Sequence, residues 1–199
     1  MDILTIDGDE NFVYYQNTGN SISPVFTAPV NNPFGLANYN LESPALSDID
    51  NDGDLDAICG TSGGDLAFIE NTGTATSPAF GNPLFNPFGL NTADLYSNSH
   101  LDMVDIDDDG DFDIFIGVES TDTIYFFENT GTASLPAFSN MVRNPFELAI
   151  GFSGLYCNSQ YSIAPSFADL DGDGDFDAFL GHYYGCLLYT SPSPRDSMT

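Results

Sequence analysis

Apolar residues in this chain fall in short runs, such as Leu66-Ala67-Phe68-Ile69 and Ile124-Tyr125-Phe126-Phe127, and no stretch has the length or the 3.6-residue period of an amphipathic helix. The runs are rich in β-branched and aromatic residues and are bounded by Gly, Asn, Asp and Pro, the pattern of strands joined by turns. From Ser43 onward, Pro44-Ala45-Leu46-Ser47 predicts a first strand and Leu55-Asp56-Ala57-Ile58-Cys59-Gly60 a second. A Gly63-Gly64 turn leads to a third over 65–70, whose counterpart is Thr123–Glu128, and after Asn71-Thr72-Gly73 the run Pro78-Ala79-Phe80 opens a fourth. Four short antiparallel strands per unit predict the blade of a β-propeller.

The unit repeats. Asn-Thr-Gly recurs at Asn17, Asn71 and Asn129, spaced by 54 and 58 residues, and Asn-Pro-Phe recurs at Asn32, Asn86 and Asn144 with the same two offsets. These markers divide the chain into a partial blade over 1–42, full blades over 43–99 and 100–162, and the start of another over 163–185. Counting back by 54 residues pairs Asp2 with Asp56, so the chain is expected to begin inside a blade. Residues 186–199 hold no repeat marker and resemble translated adapter sequence, so they are expected to lie outside the fold. With about three blades, where propellers close with about 4–8, the expected fold is all-β, an open arc.

Between the first and second strands of each unit lies a nine-residue acidic loop around a glycine: Asp48–Asp56, Asp105–Asp113 and Asp169–Asp177. Like charges about 4 Å apart cost roughly 4 kcal/mol per pair at an effective dielectric near 20, so such crowding calls for a cation. Oxygen ligands at positions 1, 3 and 5, glycine at 6 and a backbone carbonyl at 7 reproduce the first half of an EF-hand calcium loop, here closed by Asp at position 9. The predicted ligands are the side chains of Asp48, Asp50, Asp52 and Asp56 with the Asp54 carbonyl; Asp105, Asp107, Asp109 and Asp113 with that of Asp111; and Asp169, Asp171, Asp173 and Asp177 with that of Asp175. Three Ca2+ sites follow, since four carboxylates, a carbonyl and a water approach the roughly 6–8 oxygens that calcium takes.

Charge narrows the partners further. The 30 acids, more than half of them in the three loops, face only Arg143 and Arg195, for a net charge of −28. Nucleic acid and anionic membranes are excluded, because phosphate contacts need Lys and Arg. No apolar run reaches the length of a membrane helix, and no basic-then-apolar leader opens the chain. Three cysteines make no complete disulfide framework, and Cys59, aligned with Ile116 and Leu180, reads as a small buried strand residue.

Asp-x-Asp-x-Asp-Gly-Asp-x-Asp followed by an apolar strand ending in glycine, as in Asp113-Ile114-Phe115-Ile116-Gly117, resembles the FG-GAP/VCBS repeat family, and Tyr125-Phe126-Phe127-Glu128-Asn129-Thr130-Gly131 is similar to its bacterial VCBS-type members. The resemblance spans residue 2 to about 185. It implies a calcium-binding β-propeller of the integrin-α type in a secreted or cell-surface protein, with an adhesive, structural or carbohydrate-binding role.

The isolated arc is expected to associate with further blades or with itself, because terminal units lack their caps. Catalysis is not expected. His100, His182, Arg143, Tyr183 and Tyr184 sit in no catalytic motif, and the acidic loops leave little open coordination for metal-assisted hydrolysis. The alternative is the propeller portion of a polysaccharide-acting lyase or hydrolase. The variable connections 90–99 and 148–162, with Tyr96, Phe152, Tyr156 and Tyr161, are the expected place for sugar or protein contact.

Overall fold

Runs such as Ile114-Phe115-Ile116 carry no polar alternation because both faces of the strand are covered: Ile114 and Ile116 pack toward the preceding sheet, Phe115 toward the following one. The computed structural model describes residues 2–93, 95, 99–118, 123–148, 163–182 and 187–190. Four antiparallel meanders succeed one another. The first holds β1 (Ile3–Ile6), β2 (Phe12–Tyr15) and β3 (Val30–Asn31). The second holds β4 (Leu41–Ser47), β5 (Asp56–Thr61), β6 (Leu66–Ile69) and β7 (Leu84–Phe85). The third holds β8 (Ser99–Val104), β9 (Asp113–Val118), β10 (Ile124–Phe127) and β11 (Val142–Arg143). The fourth holds β12 (Ile163–Ala168), β13 (Asp177–His182) and β14 (Leu187–Thr190). The result is an incomplete, open β-propeller, all-β among the described residues apart from two single 3-10 turns.

Each seam between sheets has its own apolar cluster. Phe12, Leu41, Ala57 and Cys59 fill the first, Ile58, Phe68, Ile116 and Phe127 the second, and Phe115, Phe126, Ile163 and Leu180 the third. Glycine closes two of these seams. A Cβ on Gly60 would come within 2.8 Å of the Ser99 carbonyl, and one on Gly117 would run into the carbonyl of Ile163. The second strand of one sheet therefore lies directly on the first strand of the next, which is why the apolar run ends in glycine.

The Asn-Pro-Phe marker forms a latch. Asn32 and Phe34 are left-handed, with φ of 49° and 57°, and Asn86 and Phe88 match them at 48° and 58°. The Asn side chain accepts from the first N–H of the penultimate strand of its sheet, Asn32 from Phe12 at 3.0 Å and Asn86 from Leu66 at 2.9 Å. This twist turns the Phe carbonyl outward to the next sheet: Phe34 accepts from Phe80 N–H at 2.8 Å and Phe88 from Phe138 N–H at 2.9 Å. Leu36 and Leu90 then plug the core.

Two sequence expectations change. The fourth strand does not begin at Pro78-Ala79-Phe80; it is the two-residue β7, because the Phe80 N–H serves the neighbouring sheet and Pro83 has none to give. Leu187–Thr190, inside the stretch without repeat markers, forms β14, its β-forming Leu-Leu-Tyr-Thr run pairing antiparallel with β13 from Gly181↔Leu187 to Ala178↔Thr190. The remainder of that stretch, Cys186 and 191–199, lies outside the described residues.

Candidate metal centres

The acidic loops join β4 to β5, β8 to β9 and β12 to β13, the first hairpin of each of the last three sheets. Their backbone needs two left-handed residues. At position 6 these are Gly53, Gly110 and Gly174, with φ of 98°, 93° and 94°. At position 4 they are Asn51, Asp108 and Gly172, with φ of 58°, 64° and 79°, the three residue types that enter this region most readily. Position 4 thus has a conformational role that the ligand pattern alone does not reveal, and Asp108 is acidic without belonging to the carboxylate cluster.

Positions 1, 3 and 5 come together. In Asp48, Asp50 and Asp52, in Asp105, Asp107 and Asp109, and in Asp169, Asp171 and Asp173, carboxylate oxygens all lie within 4.8 Å of one another. Position 1 orders the turn. Asp48 accepts from Asp52 and Gly53 N–H at 3.0 and 3.1 Å, and Asp105 accepts from Asp109 and Gly110 N–H at 3.1 Å each. Asp169 does the same with Gly172 and Gly174, at 2.8 and 3.1 Å. Position 5 accepts from the position-7 N–H, as Asp52 does from Asp54 at 3.1 Å and Asp173 from Asp175 at 2.9 Å. Position 3 has no such role in the first loop, where Asp50 Oδ1 is buried without a hydrogen-bond partner. An acceptor-only oxygen in that state, beside two further carboxylates, is what a hard cation satisfies.

Positions 7 and 9 stand apart from the cluster. The side chains of Asp54 and Asp111 are buried, and each has an Oδ1 with no hydrogen-bond partner. Burial, and then the neighbouring loop carboxylates, raise both above the ordinary range, Asp111 to about 6. At position 9, Asp56 and Asp113 are 3% and 2% exposed, and burial lifts each to about 7 against the pull of their backbone N–H donors. Those donors are specific. Asp56 Oδ1 accepts from Asn71 N–H at 2.8 Å and Asp113 Oδ1 from Asn129 N–H at 2.7 Å, while each Oδ2 has a longer contact of 3.4 Å, to the N–H of Ile49 or Ile106. In the fourth sheet Asp177 Oδ2 accepts from Leu170 N–H at 3.2 Å.

Outside the loops, Ser43 and His100 meet across the second seam, Oγ to Nδ1 at 2.6 Å. Simple counting aligns these two residues, but Glu42 is the residue opposite Gly60, as His100 is opposite Gly117, and Ser43, with φ of 42°, sits in a bulge. Asp102 ties the third seam, accepting from Phe167 N–H at 2.8 Å, and burial raises its pKa. No local signal announces such inter-sheet bonds. Arg143 lies over the Tyr125 ring at 5.5 Å. Cys59 is fully buried, and burial pushes its thiol up to about 12. The side chain of His182 and residues Tyr96, Phe152, Tyr156, Tyr161, Tyr183 and Tyr184 lie outside the described residues.

An open cleft of about 850 Å³ separates the first sheet from the first acidic loop; Tyr14, Phe34, Phe80, Leu46 and Leu55 supply apolar walls, and Asp48 and Asp54 line one side. Among the described residues, no helix is long and apolar enough to cross a membrane.

Residues 105–180 match the FG-GAP-like repeat model. No curated protein matches the chain. Among solved structures, the Tc holotoxin pore of Photorhabdus luminescens is similar over 94% of this chain, at 17% identity and a TM-score of 0.48, and the match spans 8% of that much longer chain.

Proposed function

From the match of residues 105–180 to the FG-GAP-like repeat model, we propose that the chain is a calcium-binding propeller module of the FG-GAP repeat type in a secreted or cell-surface protein. Its role is structural and adhesive rather than catalytic. The observation that carries this reading is the threefold convergence of the position-1, -3 and -5 carboxylates at the first hairpin of successive sheets, with the buried Asp50 Oδ1 lacking a partner. Asp48, Asp50 and Asp52, and their equivalents in the other two loops, would hold the ion, joined by the carbonyls of Asp54, Asp111 and Asp175 and by the position-9 carboxylates. A bound Ca2+ supplies positive charge where each loop concentrates negative charge. The chain's own contribution is to fix the carboxylates through the turn N–H groups and to set the register of the two strands that leave each loop.

Extracellular calcium modules work at affinities of about 10⁻⁴–10⁻³ M, which suits that location. The partner is a protein or carbohydrate surface. A polysaccharide-acting parent enzyme is a second reading, favoured by the aromatic walls of the cleft beside the first loop, where sugar rings can stack.

Thermal unfolding with and without chelator tests the proposal. Each site filled at a hundredfold excess over its Kd adds about 2.7 kcal/mol, so the melting temperature should rise by many degrees in calcium and fall back in EGTA. Magnesium at the same concentration should give a much smaller rise. An unchanged midpoint on calcium addition, with no heat of binding by calorimetry, would remove the ion from the account.

A further inference from the structure

We propose that Asn71 and Asn129 are positioning residues that connect the first two calcium loops to the seam with the preceding sheet, so that filling either loop tightens the contact between blades. The inference rests on the calcium reading above.

The connection is a continuous path of hydrogen bonds. It leaves the first loop at Asp56, whose Oδ1 accepts the Asn71 N–H at 2.8 Å. The Asn71 side chain then accepts from Gly73 N–H at 3.1 Å and Ala79 N–H at 2.8 Å, folding the segment between them into a closed turn. Thr72 clasps the same turn by donating its N–H and its hydroxyl to the Ala79 carbonyl, each at 3.0 Å. The next residue is Phe80, whose N–H goes to Phe34 of the preceding sheet at 2.8 Å.

The second loop repeats every link. Asp113 accepts from Asn129 at 2.7 Å, Asn129 accepts from Gly131 and Ala137 at 3.1 and 2.9 Å, and Phe138 donates to Phe88 at 2.9 Å. In the first sheet, Asp2, Asn17, Gly19 and Val25 form the corresponding part, with Asp2 accepting from Asn17 N–H at 2.8 Å and Asn17 from both turn residues at 2.9 Å. Three independent appearances of one geometry mark a built device.

The path can carry a signal because its groups are buried. Asn71 and Asn129 are 2% and 3% exposed, so a carboxylate that shifts cannot trade its N–H partner for water. The two oxygens of the position-9 carboxylate also divide the work. Oδ1 holds the Asn N–H at a short distance, whereas Oδ2 has only the 3.4 Å contact to Ile49 or Ile106 and is the oxygen available to an ion. Fixing Oδ2 on an ion immobilises Oδ1, and with it the turn that ends on the neighbouring sheet.

The readout is amide hydrogen exchange of the whole chain, resolved at Phe80 and Phe138, in calcium and in EGTA. Calcium should slow both amides by about tenfold or more, because opening of the latch becomes rarer. Asn71→Ala should abolish the calcium effect at Phe80 and keep it at Phe138; Asn129→Ala should do the reverse, so either variant suffices if the other does not fold. Calcium binding by the unaltered chain without any change at Phe80 and Phe138 overturns this inference and leaves the functional reading standing. So does an Asn71→Ala variant in which both amides lose protection equally, the behaviour of a residue that merely supports the fold. Absence of calcium binding in the unaltered chain removes both.

Discussion

The third and fourth sheets apply the same sequence pattern in two surroundings. Both have a nine-residue acidic loop and an apolar second strand that reaches a glycine, Gly117 in one and Gly181 in the other. A Cβ on Gly117 would strike the main chain of Ile163 in the next sheet, whereas on Gly181 the nearest neighbour is the Ala164 carbonyl of its own sheet, at 3.6 Å. The loops differ in the same way. In the third sheet's loop Asp111, at position 7, is buried and Asp105 half-buried, while their counterparts Asp175 and Asp169 are half-buried and exposed. The motif alone therefore does not determine what a residue does; the neighbouring sheet does.

The largest break in this comparison comes from the two glycines. Gly117→Ala should cost about 3 kcal/mol by forcing the third and fourth sheets apart, and Gly181→Ala should stay within about 0.5 kcal/mol, both read from urea midpoints in calcium. Equal costs for the two would mean that the seam does not depend on close backbone approach.

The second break is electrostatic. In the metal-free folded chain Asp56 and Asp113 keep their protons to about pH 7, while unfolded they release them near the ordinary 3.8. The folded state therefore binds protons more tightly, and its stability should fall as pH rises between about 4 and 7. After allowance for solvent screening the loss is about 1–2 kcal/mol. Saturating calcium should invert that slope, because protons then compete with the ion for the carboxylates. Chemical unfolding in EGTA and in calcium across this range measures both signs.

The smallest effect sharpens the account of position 4. Gly172→Asn should change stability by no more than about 0.5 kcal/mol, because Asn51 already occupies the same left-handed position in the first loop. A loss of several times that amount would show that the third loop has a different backbone requirement.

Much of this was legible in the residues. The repeat offsets predicted the arc of antiparallel sheets, and of the aspartates read as side-chain ligands, those at positions 1, 3 and 5 converge while position 9 stands apart. Other parts were hidden because they depend on neighbouring units. Asn71 looks like an ordinary turn residue until Asp56 is brought beneath it, and Phe80 reads as strand-forming although its N–H serves another sheet. The bulge at Ser43 displaces the simple alignment with His100 by one residue, which no local pattern signals. The left-handed requirement at position 4, met by Asn51, Asp108 and Gly172, is likewise hidden, since αL tolerance and metal affinity favour overlapping residue types.

The Asn-Pro-Phe latch has a consequence for how such a chain can diversify. It clamps one sheet to the next before the connecting segment begins, and that segment then runs from Leu36 to Leu41 at the first junction and from Leu90 to Ser99 at the second. Because alignment between wedges is settled upstream, the connector can gain or lose residues without tilting one sheet against the next. Natural variation can thus change the length of that connector, leaving the joints between sheets as they are.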